Sequence, residues 1–434
     1  MNQASASRAS KFWTVVRVSS GNFLEMYDFM VFGYYAAAIG KVFFPNGNPS
    51  VSLMLSLMTF GAGFLMRPIG AIVLGSYADK HGRRAGLLLT LALMSIGILS
   101  IACVPGYKAI GIAAPLLVLS GRLLQGFSAG MELGGVSVYL SEIATPGRKG
   151  FYVSWQSASQ QAAVMFAAVI GLVLSSRLSA AQMTAWGWRI PLFIGCLIIP
   201  FVLLLRRNLE ESDEFIARAR HPSIGEILRS LASHSGLVLI GLLLFTMTTI
   251  SFYMITAYTP TFGSSVLHLS SRASFIVTFC VGASNLFWLP VMGHLSDRIG
   301  RFPLLFACTV LMIVSAYPAM LWLVAGPSFT KLLAVELWFS FVYGSYNGAL
   351  IVFMTEFIPI QIRTTGFSLA YSMATAIFGG FTPAICTYLI HLTGNRAIPG
   401  LWLSFAAICG LGAALAARFR KTTPATNYIS PVTP

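Results

Sequence analysis

Residues Gly75–Arg84 read GSYADKHGRR, a short polar stretch between two long apolar runs, and Gly293–Phe302 repeat it as GHLSDRIGRF. Gly75/Gly293, Asp79/Asp297, Gly82/Gly300 and Arg83/Arg301 each stand 218 residues apart, about half of the 434-residue chain. A constant offset at four positions marks the halves as two copies of one unit. A second echo, at an offset of 214, carries Arg122, Gly130, Gly134 and Glu142 onto Glu336, Gly344, Gly348 and Glu356. Glycines at every fourth residue permit close helix contact, and the exchange of Arg122 for Glu336 breaks the symmetry in charge.

Outward from the repeated loop the chain is apolar. It is 56% hydrophobic and 9% charged, with a mean hydropathy of +0.77, more apolar surface than a water-soluble core can hide. Twelve runs of about 20 residues, the length that crosses ~30 Å of hydrocarbon, lie near 18–40, 51–76, 85–104, 111–140, 151–175, 188–206, 236–260, 272–295, 303–325, 332–355, 364–391 and 399–417. The expected fold is an all-α membrane protein whose twelve transmembrane helices form two six-helix pseudo-symmetric bundles. The expected divisions are an N-terminal segment 1–17, a first bundle 18–207, a polar linker 208–235, a second bundle 236–418 and a tail 419–434.

An even number of spans puts both termini on one side. Loops on that side hold nineteen of the 28 Lys and Arg residues, against seven opposite, with Arg67 and Arg122 inside the membrane. The excess of positive charge predicts cytoplasmic termini, and it accounts for the net charge of +15 without a nucleic-acid partner. Four of the 13 acids, Glu210, Glu211, Asp213 and Glu214, fall in the linker and read as a solvated helix face. The six cysteines lie in apolar runs without CxxC spacing, and the six histidines sit in loops or near span ends without metal-ligand spacing. No GxxxxGK stretch occurs, so neither a metal, a cofactor nor nucleotide hydrolysis is expected, and the chain does not read as an enzyme. The N-terminus lacks a cleavage pattern, so the first span is expected to stay in the mature protein.

The repeated loop, together with GRLLQGFSAGMELGG at Gly121–Gly135, resembles the loop and fourth-helix signatures of the major facilitator superfamily over essentially the whole chain. GNFLEMYDF at Gly21–Phe29, RPIGAIVLGSYADKHGRR at Arg67–Arg84 and WGWRIPLFIG at Trp186–Gly195 resemble its metabolite:proton symporter branch. Within that branch, ELGGVSVYLSEIATPG and SWQSASQQ are similar to stretches of the carriers of citrate and tricarballylate. The resemblance implies proton-coupled uptake of such a tricarboxylate anion across the bacterial inner membrane by alternating access, by a chain functional as a monomer. It also implies a central cavity lined by spans one, four, seven and ten. Dicarboxylate or osmolyte carriers of the same branch are the near alternatives. A drug:proton antiporter, from a different class, would want cavity acids without the arginines found here, and a sensor would want a larger soluble domain.

Charge buried in a membrane is rare and costly, so it points to function. Asn22, Glu25 and Asp28 share one helical face of the first span, and Arg122, Gln125 and Glu132 share a face of the fourth. A carboxylate whose contact with an arginine opens and closes changes its proton affinity, which makes Asp28 with Arg122 the preferred proton-coupling pair and Glu25 and Glu132 auxiliary carriers. The alternative is a permanent ion pair between the first and fourth spans. Arg67 lies twelve residues, about 18 Å of helix, from Asp79. It either receives a substrate carboxylate with its bidentate fork or locks a helix by pairing with one of these acids. Arg189, beside Trp186 and Trp188, reads as an interface anchor. Polar stripes at helical spacing supply substrate-binding candidates: Gln156 and Gln160 on span five, Tyr253 on span seven and Asn347 on span ten, with Asn22, Gln125, Arg67 and Arg122 completing the set. The competing reading of each neutral residue is a helix-to-helix hydrogen bond. Glu336 is either a hydrated residue near the outer end or an inward-facing proton site.

In the superfamily the repeated loop works as a gate, so Asp79 is expected to accept hydrogen bonds from a neighbouring helix N-terminus and Arg83 to pair with an acid such as Glu142. Asp297, Arg301 and Glu356 are expected to echo these contacts. Phe302 stands where the family pattern has a basic residue, so the second latch is expected to be the weaker. Moving three negative charges inward against ~100 mV costs roughly 7 kcal/mol, which favours co-transport with protons.

Overall fold

The computed structural model describes residues 20–81, 83–130, 132–207, 224–359 and 363–421. The N-terminal segment 1–17, linker residues 208–223 with their four acids, and the tail from 422 onward lie outside the described residues. So do the side chains of Asp79, Arg83 and Glu132.

Each of the twelve apolar runs folds as one helix or as helical segments laid end to end, and no strand occurs among the described residues. In hydrocarbon every backbone N–H and C=O has to be bonded within the chain, which leaves a lone apolar run little choice but a helix. Among the described residues eight helices are long and apolar enough to cross a membrane: Pro49–Leu74, Lys149–Arg177, Ser235–Val266, Ser271–Ile299, Arg301–Val324, Phe329–Phe357, Arg363–Thr393 and Pro399–Phe419. Ala180–Gly187 with Arg189–Leu204 makes a ninth if its 41° bend is counted as one broken span. The remaining runs are interrupted or short. The first divides at Tyr35 into helix 20–34 and Ala36–Phe43, the third keeps an apolar stretch only over Leu88–Cys103, and the fourth divides into Ala113–Ala129 and Glu132–Glu142. Below, spans are numbered one to twelve in chain order.

Several irregularities follow from proline. Span seven widens to a π-helical turn over Tyr253–Tyr258 just before Pro260, which has no N–H to continue the regular ladder. Span eleven does the same over Thr375–Gly379, ahead of Thr382–Thr393 with Pro383 in its first turn. These widened turns were not visible in the hydropathy pattern.

Glycines decide which spans touch. A Cβ at Gly126 would meet the carbonyl oxygen of Gly63, and one at Gly130 that of Arg67, so spans two and four pack backbone to backbone. Gly344, the counterpart of Gly130, packs likewise on span eight, where a Cβ would come 2.9 Å from the Cβ of Trp288. The two halves meet in the same way. Gly150 of span five and Gly293 of span eight face each other so closely that neither tolerates a side chain. The close approach of spans two and four brings Arg67 and Arg122 together beside span one, with Arg67 level with Gly130 and Arg122 level with Gly63.

Candidate functional site

Span one carries Glu25, Asp28, Phe29 and Phe32 on the surface it turns to spans two and four, and the acids and rings alternate around the two arginines. Arg67 Nη2 donates to Glu25 Oε1 at 2.6 Å, and Arg122 Nη1 donates to Asp28 Oδ2 at 3.2 Å. Arg122 also donates to Gln125 Oε1, one turn along its own helix, at 2.7 Å. The Phe29 ring separates the two guanidiniums, 4.8 Å from that of Arg67 and 4.5 Å from that of Arg122. Phe64 covers Arg67 at 4.6 Å, and Phe32 covers Arg122 at 4.6 Å. Cation–π contact of this kind compensates part of the hydration that each guanidinium has given up.

Both pairs are sealed from water. Arg67 is 1% exposed, Arg122 0%, Asp28 1% and Glu25 4%. Their hydrogen bonding is nevertheless incomplete: Arg122 Nε and Nη2, Arg67 Nε and Asp28 Oδ1 have no partner. Asn22 is buried on the same span with neither of its side-chain polar atoms bonded. A buried ion pair with spare donors is held mainly by the mutual charge, so removing either charge leaves the other exposed to a large desolvation cost. That makes the cluster sensitive to a single proton and receptive to an added anion.

A narrow polar cavity lies between the halves. Gln156, Ser157 and Gln160 of span five line one side, Thr248 and Thr249 of span seven and Tyr343 and Asn347 of span ten the other, and Tyr371 of span eleven closes it. Its free space is about that of one water molecule, so these walls must part to admit a larger solute. Thr248 Oγ1 donates to Asn347 Oδ1 at 3.3 Å, Asn347 Nδ2 donates to Tyr343 Oη at 3.3 Å, and Ser157 Oγ donates to Gln156 Oε1 at 2.8 Å. Gln156 Nε2 has no partner. Arg67 stands behind this wall, its guanidinium facing the Tyr371 hydroxyl.

Of the residues expected to bind substrate, Gln156, Gln160 and Asn347 line the cavity. Arg67, Arg122, Gln125 and Asn22 do not; they belong to the charged cluster. Tyr253 joins the two, its ring 5.1 Å from that of Phe64 and its hydroxyl without a partner. Ser157, Thr248 and Tyr371 escaped the sequence reading. Thr248 lies five residues before Tyr253 in the same polar run of span seven, but Tyr371 and the insulating Phe29 gave no charge or spacing signal.

At the end of the spans that carries the repeated loops, Asp297 ties the halves together. Its Oδ1 accepts from Gly150 N at 2.8 Å and its Oδ2 from Phe151 N at 3.1 Å, the first free N–H groups of span five. Arg301 pairs with Asp297 at 2.8 Å and with Glu356 at 3.1 Å. Phe302 carries the Arg418 guanidinium on its ring at 4.6 Å. Glu142 is exposed at the end of span four; its expected partner Arg83, and Asp79, are among the undescribed side chains.

The sequence profile of the family described as "Sugar (and other) transporter" matches residues 13–419. The chain belongs to this transporter family. It is 57% identical over 407 residues to a citrate-proton symporter of Salmonella typhi, covering 94% of each chain, and 57% identical over 397 residues to one of Klebsiella pneumoniae, covering 92% of this chain and 89% of that protein. A crystal structure of a D-xylose-proton symporter superposes with a TM-score of 0.75 at 18% identity, covering 94% of this chain and 97% of the other. The fold is thus the major facilitator fold of a membrane transporter.

Three further residues take defined places in this transporter. Arg189 donates to the carbonyls of Ala102 and Val104 at 3.2 and 2.9 Å and lies over Trp188, closing the free end of span three. Asn285 of span eight donates to Gln161 Oε1 at 3.3 Å and accepts from Ser340 at 2.8 Å, a tie between the halves. Glu336 is 2% exposed, which excludes the hydrated alternative. Among the described residues no three His, Cys, Asp or Glu side chains gather as a metal site.

Proposed function

We propose that this transporter carries citrate, or a close tricarboxylate such as tricarballylate, into the cell together with protons, as a monomer in the bacterial inner membrane with both termini cytoplasmic. The observation that carries the proposal is the pair of buried ion pairs, Glu25 with Arg67 and Asp28 with Arg122, beside a polar cavity between the halves. The 57% identity to two citrate-proton symporters supports the choice of cargo.

The coupling follows from charge balance. In the closed form each guanidinium is neutralised by its own carboxylate. A proton placed on Asp28 or Glu25 removes that neutralisation and leaves an arginine charged in a poorly hydrated site, at a cost of several kcal/mol. A substrate carboxylate restores the balance and engages the guanidinium fork at two oxygens. Proton and anion therefore favour each other, and the site is awkward with either alone. Gln156, Gln160, Tyr253 and Asn347 offer donors and acceptors for the remaining carboxyl and hydroxyl groups. Release of the Asp297 contacts with span five opens the cytoplasmic side, and the glycine seam of spans five and eight is the line along which the halves rock. Glu132, an acid of span four, is proposed as a further carrier.

The test is uptake by proteoliposomes under an imposed pH gradient, acidic outside, with citrate, tricarballylate, succinate and betaine as competitors. Citrate accumulation that collapses when the gradient is dissipated is the expected result. Absence of gradient-driven citrate uptake, or stronger competition by betaine than by any tricarboxylate, overturns the reading.

A further inference from the structure

Glu336 lies two turns into span ten, seven residues after Phe329. It is as buried as the acids of span one, but among the described residues no arginine pairs with it. Its Oε1 stands 3.0 Å from Thr259 Oγ1, and its Oε2 has no hydrogen-bond partner. The same Thr259 Oγ1 stands 2.9 Å from the carbonyl oxygen of Ile255, one turn earlier in span seven, which can only accept. One hydroxyl proton cannot serve both oxygens. With a proton on the carboxyl, Glu336 donates to Thr259 Oγ1 and Thr259 donates to the Ile255 carbonyl, so both contacts are hydrogen bonds. With the carboxyl ionised, the Thr259 hydroxyl has to turn to it, the Ile255 carbonyl loses that donor, and one carboxylate oxygen stays bare in an apolar surround.

Ile255 belongs to the widened turn Tyr253–Tyr258 of span seven, the same turn whose Tyr253 ring packs against Phe64 beside Arg67. Of the titratable side chains on the neighbouring spans, Arg272 bonds Ser176, Lys331 the Trp322 carbonyl, Tyr258 Thr387, Tyr343 Asn347 and Tyr317 Asn395, while Tyr253, its hydroxyl without a partner, turns its ring to Phe64. Span five has no ionisable residue between Tyr152 and Arg177. The titration of Glu336 therefore acts through Thr259.

We propose that Glu336 is a proton-carrying residue of the second half, which takes a proton from water when its side of the protein is open, returns it to water on the other side, and in doing so switches the Thr259 hydroxyl between the carboxylate and the Ile255 carbonyl. The inference rests on the proton-coupled reading above and adds to it a second proton site, separate from both arginine pairs.

Infrared difference spectra of the purified full-length protein between acidic and alkaline buffer provide a test that needs no substrate. A protonated-carboxyl C=O band is expected in the wild type, absent in Glu336→Gln and displaced in Thr259→Val. A Glu336→Gln spectrum superposable on the wild type overturns the proposal. In proteoliposomes, Glu336→Gln is expected to move fewer protons per citrate while retaining citrate counterflow, with partial rescue by Glu336→Asp; an unchanged proton ratio overturns it. Should the wild type not carry citrate, the functional reading fails, while the infrared arm still decides the role of Glu336. Should Glu336→Gln fail to fold, Thr259→Val and Glu336→Asp read the same band.

Discussion

Arg122 and Glu336 occupy corresponding positions of the two repeats, 214 residues apart, yet their surroundings share almost nothing. Arg122 pairs with Asp28, bonds Gln125 and lies against Phe29 and Phe32. Glu336 has one hydroxyl neighbour, Thr259. The symmetry of the halves shows in Gly130 and Gly344, which press on spans two and eight, but the charges are not duplicated. The first half concentrates opposite charges in a dry, aromatic-lined cluster, while the second half supplies neutral donors, a lone buried acid and, through Asp297, the contact that ties the halves at one end.

Substitutions can break or sharpen that contrast, and the largest effect is expected at Asp28. Asp28→Asn leaves Arg122 charged without its counter-charge, a penalty of about 3 kcal/mol in a buried site. Gradient-driven accumulation should disappear while counterflow exchange persists; full accumulation in this variant would remove the first half from the coupling. Arg122→Lys keeps the charge and loses the planar fork, so substrate affinity should fall about tenfold, near 1.4 kcal/mol, in an equilibrium binding measurement. Unchanged affinity and coupling would move the anion site elsewhere. Asp297→Asn weakens the tie to Gly150 and Phe151 by about 1 kcal/mol. Labelling of a cysteine introduced near Gly150 on the loop side should then become faster, and no change would show that other contacts keep the halves closed. Smallest of all, Gln156→Ala removes one neutral cavity group and should raise the Michaelis constant for uptake about threefold, near 0.6 kcal/mol. A tenfold or greater loss there would mean that neutral residues share the recognition assigned to the arginines.

Much of this arrangement is legible in the residues alone. Runs of apolar residues specify helices because the membrane offers no other partner for the backbone, and the repeated loop fixed the two-fold plan. Charged residues in such runs stood out at once, so Glu25, Asp28, Arg67 and Arg122 were candidates by residue type alone. The partner of Arg67 was not legible. Whether it met a substrate or an acid depended on the rotation of span two against span one, which its glycine contacts with span four set. Tyr371, Thr248 and Phe29 were missed for a related reason: each is an ordinary membrane-helix residue until a neighbouring span brings an arginine or an amide to it.

The sequence by itself determined the twelve apolar runs and their helical character, the repeat, the family and the stock of buried charge, because each of these depends on residues close in the chain or on composition. Only the tertiary structure decided that Glu25 takes Arg67 and Asp28 takes Arg122, that Phe29 stands between them, that Asp297 caps span five, and that Glu336 meets Thr259 and no cation. Those pairings depend on how far apart the helix axes lie and which way each helix is turned, and both are set by side-chain volume at contacts between spans distant in sequence.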